Sequence, residues 1–99
     1  MYALAILRYR KPLEDVLKHV EAHRAYLRQL KSSGVLVASG PFEPRYGGGL
    51  LLRVGDDGAA AALDAVRDGD PFVTEGVAQY EILPWRVTMG AEALDSLPR

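Results

Sequence analysis

The chain opens on an unbroken apolar run, Ala3-Leu4-Ala5-Ile6-Leu7, and then changes period. A short continuous run closed by Arg10-Lys11-Pro12 predicts a strand over residues 2–9. From Leu13 to Ser33 the apolar positions Val16, Val20, His23, Leu27 and Leu30 recur at alternate spacings of four and three. That places them on one stripe of a helix, with Pro12 suited to its first turn and Gly34 to a left-handed end. Val35 to Phe42 predicts a second strand, Glu43 to Gly48 a turn region, and Gly49 to Val54 a third strand. Gly55-Asp56-Asp57 offers a cap for a second helix over residues 57–68, which Gly69 stops. Asp70-Pro71-Phe72 opens a short turn or helix, and residues 78–87 form the last strand. Residues 89–99 read as a tail with one helical turn at Glu92 to Ser96.

The order βαββαβ predicts a ferredoxin-like α+β fold, a four-stranded antiparallel sheet within one domain, residues 1–88. Right-handed crossovers put both helices on one face of the sheet. Yet Ala3 to Leu7, and again Leu50-Leu51-Leu52, are apolar on both sides of their strands. Strands of that kind are covered on both faces. With two helices available, the expected second cover is another copy of the sheet, which makes the protein a homodimer.

Composition narrows the picture mainly by exclusion. Ninety-nine residues support one modest core and no second, cofactor-binding domain. Twelve basic against thirteen acidic residues give a net charge of −1, so no charge excess points to nucleic acid or an anionic membrane. No run approaches the roughly 18 apolar residues of a membrane span, and no basic leader precedes the first apolar run. The expected location is cytoplasmic. The absence of cysteine removes thiol nucleophiles, disulfides and thiolate-held metals. His19 and His23 are the only histidines, without a His-Glu-x-x-His pattern, so no metal or cofactor is expected.

His23 lies in the middle of an apolar stripe. Two roles are open to it: a packed imidazole with a satisfied hydrogen bond, or a general acid–base able to exchange a proton near neutrality. His19, one turn earlier, lies beside the stripe and reads as a solvated or partly packed residue. Asp70, ahead of Pro71, reads as a helix cap, a role compatible with orienting an imidazole. Ser39-Gly40-Pro41 and Tyr46-Gly47-Gly48-Gly49 are either a hairpin connection or glycine backbone that a ligand can approach. Arg45 and Arg8 are candidates to hold a substrate carboxylate, or are solvated surface residues. Tyr26, Phe42, Tyr46, Phe72 and Trp85 are candidates to line an aromatic cavity, or are core.

Taken in order, Glu21-Ala22-His23-Arg24-Ala25-Tyr26-Leu27, then Gly34 through Ala38-Ser39-Gly40-Pro41, then Asp70-Pro71-Phe72-Val73 with Gly76-Val77, the chain resembles the YCII-related family. The resemblance runs from residue 1 to about residue 88. It implies a dimeric α+β barrel of ferredoxin-like protomers with His23 and Asp70 as the catalytic pair. Ser39, Gly40, Pro41, Phe72 and Arg45 are the expected substrate-binding residues around them. The activity implied is that of a small cofactor-independent enzyme, lyase- or isomerase-like, transferring a proton on a small cyclic or aromatic substrate. The alternative is a non-catalytic ligand-binding or regulatory module of the same fold. Related dimeric barrels also host haem, for which His19 or His23 would be the axial ligand.

Overall fold

The computed structural model describes residues 1–98; the last residue of the tail expected at 89–99, Arg99, lies outside the described residues. Four strands form one antiparallel sheet: β1 (Tyr2–Tyr9), β2 (Leu36–Pro41), β3 (Gly47–Arg53) and β4 (Ala78–Trp85), in the order β2-β3-β1-β4. The helices are α1 (Leu13–Leu17), α2 (Val20–Ser32), α3 (Ala59–Gly69), α4 (Pro71–Thr74) and α5 (Ala91–Asp95). This is the ferredoxin-like α+β arrangement that the pattern predicts. The core lies between α2, α3 and one face of the sheet. Ala3, Ala5, Leu7, Leu50 and Leu52 pack there against Val16, Leu63, Val66 and Phe72, all buried. Alanines on the central strand leave room for the larger side chains that come down from the helices. Among the described residues, no helix is long and apolar enough to cross a membrane.

Three local expectations are corrected. The helix predicted over residues 13–33 is two helices, because the His19 N–H closes a tight turn on the Val16 carbonyl at 3.0 Å. The stripe runs straight through this break, so periodicity cannot sense it. Pro12 accordingly stands at the N-cap of α1. At α3 the N-cap is Gly58, with φ +71°, because Asp56 is instead paired with the N-terminal ammonium at 2.9 Å. Gly47 and Gly48 belong to β3 and not to a turn. A Cβ at Gly47 would stand 1.9 Å from the Leu7 carbonyl oxygen, and one at Gly48 would stand 2.8 Å from that of Gly40. Close backbone packing, with no ligand involved, demands these glycines.

The second face of the sheet carries Leu4, Ile6, Leu51, Leu83 and Trp85, the last two 42% and 41% exposed. Among the described residues, one end of that face is covered from within the chain. There α5 docks, with the Tyr2 hydroxyl donating to Asp95 at 2.7 Å and Arg53 donating to the Leu94 carbonyl at 3.2 Å. This explains why Tyr2 and Arg53 are buried although they point away from the helices.

Candidate active site

Asp70 sits where α3 hands over to α4. The turn comes close under α2, where a Cβ at Gly69 would stand 2.7 Å from the Tyr26 hydroxyl. That hydroxyl donates to the Val66 carbonyl at 2.8 Å and ties α2 to the end of α3. Asp70 then caps α4, accepting the Phe72 N–H at 2.9 Å. Capping accounts for only part of its bonding. The same oxygen, Oδ1, lies 2.8 Å from His23 Nδ1, and the other, Oδ2, accepts a hydrogen bond from the Tyr80 hydroxyl. Burial, then the Asp70 charge and this hydrogen bond, raise the Tyr80 pKa above the ordinary tyrosine value, so the phenol keeps its proton and donates. Burial first, then Asp70 and Asp68, also raise that of Tyr26.

A carboxylate whose oxygens accept from a backbone amide and a phenol suits an imidazole that donates Nδ1–H, the tautomer that leaves the Nε2 lone pair free. Phe72 lies flat against the imidazole, with centroids 3.9 Å apart and planes at 7°, and Tyr9 meets Phe72 edge-on. The ring is thus held by a bond on one edge and a stack on one face. His23 lines a cleft of about 240 Å³ between α2 and the sheet. Nε2 has no hydrogen-bond partner among the described residues and is not sealed from solvent. Such an imidazole can take a proton from a molecule in the cleft, and Asp70 stabilises the cation that forms.

The structure gathers the expected site residues closely. Ser39, Gly40, Pro41, Arg45 and Phe72 line the same cleft as His23, and Asp70 stands fully buried behind the ring. The bulge in β2 between Leu36 and Ala38 turns Ser39 and Pro41 toward the helix side. Arg45 reaches across from the β2–β3 connection, its Nε donating to the Tyr9 hydroxyl at 3.2 Å. Among the described residues, Arg24, not singled out by the sequence, is the other cation of the lining, and no carboxylate lines the cleft.

Arg8 is not part of the site. Strand alternation sends it to the other face, where it pairs with Glu81 at 2.7 Å. Of the five aromatic candidates only Phe72 lines the cleft. Phe42 and Tyr46 tilt against each other at 5.6 Å, Tyr26 secures α3, and Trp85 lies on the second face. His19 is the N-cap of α2 and makes no side-chain cap bond. Sequence reasoning missed Tyr80. The available signal was the alternation of the last strand, which puts Tyr80 on the core side with Ala78. A buried tyrosine hydroxyl needs an acceptor. Among the described residues, no group of three or more His, Cys, Asp or Glu is placed to hold a metal ion.

A sequence profile for the YCII-related domain matches residues 1–86. No curated protein matches the chain. Nine solved chains match in structure. One is 5-chloro-2-hydroxyhydroquinone dehydrochlorinase from Burkholderia phenoliruptrix AC1100, in complex with 2,5-dihydroxybenzoquinone. It is 20% identical, with a TM-score of 0.74, over 89% of this chain and 96% of that one. At that identity the likeness is one of fold.

Proposed function

The chain belongs to the YCII-related family, and we propose that it is a small enzyme that moves a proton on a cyclic or aromatic substrate, with His23 as the acid–base group. The observation that carries this reading is the held imidazole: Nδ1 bonded to a buried carboxylate, Nε2 open to a cleft. His23 Nε2 takes the proton of an acidic hydroxyl, or of a carbon beside a carbonyl. In an isomerisation the imidazolium returns it to another carbon. In an elimination a leaving group departs with its electron pair and the imidazolium sheds the proton to solvent. The dehydrochlorinase neighbour, in complex with 2,5-dihydroxybenzoquinone, is consistent with a ring of that kind. Arg24 and Arg45 favour a substrate that carries negative charge, such as a phenolate, enolate or carboxylate.

A melting-shift screen of phenolic and lactone-type acids tests the reading at its first step. Ligands that engage the cleft are expected to raise Tm, less so in Arg45→Ala, and to be turned over. Binding with no turnover of any ligand would leave a binding module in place of an enzyme.

The second sheet face is proposed to meet its counterpart in another copy, forming a homodimeric barrel. The reason is the apolar set Leu4, Ile6, Leu51, Leu83 and Trp85, which α5 leaves open. A patch of that kind seldom stays exposed, and a stable interface buries at least about 1,000 Å². Sedimentation at micromolar concentration should give twice the 10.8 kDa of one chain. A stable monomer would contradict the proposal.

A further inference from the structure

We infer that Tyr80 is a positioning residue of this site: its hydroxyl, donated to Asp70, holds the His23–Asp70 pair in the protonation arrangement that leaves Nε2 free as a base. The inference rests on the acid–base reading above and adds a third member to it. Asp70 is wholly buried and both its oxygens are engaged, Oδ1 by His23 Nδ1 and the Phe72 N–H, Oδ2 by Tyr80 alone. The Phe72 N–H belongs to the helix cap and stays wherever α4 forms. Tyr80 is thus the one side chain, other than His23, that donates to Asp70 among the described residues.

The pair is best treated as one titrating unit. With an aspartate and a neutral imidazole it carries one negative charge and presents a basic Nε2. With one more proton, on either partner, it is neutral and the base is lost. Burial favours the neutral form, and a hydrogen bond given to the carboxylate favours the charged one. Tyr80 supplies that bond from β4, and so favours the charged form of the pair, the one that leaves Nε2 free. The other ionisable groups around the pair do not substitute for it. Tyr26 on α2 is bonded to Val66, Tyr9 on β1 accepts from Arg45, and Arg24 is paired with Glu21. Asp68 on α3 acts on Tyr26, and His19 lies at the start of α2.

Tyr80→Phe removes the hydroxyl and keeps the ring that packs in the core. Followed by NMR of the His23 ring, with His19→Gln to separate the two histidines, the pair is expected to take up its proton at higher pH. The expected rise is about one unit, a tenfold change, as befits loss of a hydrogen bond to a charged group. A midpoint that stays in place or falls would overturn the inference, since a residue that only packs would not move it. Should Tyr80→Phe fail to fold, 3-fluorotyrosine installed at position 80 alone keeps the shape and donates more strongly. The midpoint should then fall, and an unmoved one would equally overturn the inference. Neither titration needs a substrate, so failure here leaves His23 as the base, and failure to find turnover leaves the titration result intact.

Discussion

His23→Ala is expected to lower kcat/KM by about a thousandfold on a true substrate, Asp70→Asn by a similar factor, and the double variant scarcely further. General acid–base groups contribute about 10²–10⁴-fold, and on the proposed reading His23 is the one histidine among the described residues that lines the cleft. Asn at position 70 keeps nearly the shape of the carboxylate but removes the charge that stabilises the imidazolium. It also brings an N–H group to a place where one oxygen has to accept from His23 and the other from Tyr80. Residues that act as one unit lose their effect together, so the losses are non-additive. Steady-state kinetics of the four proteins would show this. Losses that multiply in the double variant would mean that Asp70 acts on the substrate by a separate route.

Asp70→Ala is expected to be among the most destabilising single changes in the chain, about 3–5 kcal/mol, because three buried donors lose their one acceptor at about 1–3 kcal/mol each. The side chain is fully buried, and its removal strands the Phe72 N–H, the Tyr80 hydroxyl and His23 Nδ1–H where the carboxylate stood. An ordinary helix cap costs only about 1 kcal/mol when lost. In a domain of this size each kcal/mol lowers Tm by about 4–8 °C, so calorimetry should find a fall above 10 °C. A fall of about 5 °C would reduce Asp70 to a cap for α4.

The fold was legible because its signals are periodic. The apolar runs of β1 and β3 and the stripe from Val16 to Leu30 state their elements directly. Events that do not disturb the period were not legible: the turn at Lys18-His19, the Asp56 carboxylate drawn to the N-terminus, and glycines fixed by a neighbouring strand's carbonyl. The candidate site divides in the same way. His23 shows itself as a polar residue on an apolar stripe, and Asp70 as a cap before proline. Their meeting at 2.8 Å depends on how α2 packs over the α3–α4 turn, which no local pattern encodes. Tyr80 was hidden because a tyrosine in a strand is ordinary until its acceptor is known. Arg8 is the reverse case: of the two readings open to it, substrate carboxylate or solvated surface, strand alternation selects the surface.

The central claim is that His23 Nε2 moves a substrate proton, and solvent exchange measures that step without waiting for net conversion. A cyclic or aromatic acid that binds the cleft is dissolved in D2O with catalytic protein, and its carbon-bound protons are followed by NMR. The wild-type protein should speed deuterium incorporation at one carbon, or release product formed through loss of its proton, while His23→Ala leaves the rate near that of buffer. Equal rates for wild-type and His23→Ala proteins, with both binding the compound, would contradict the account.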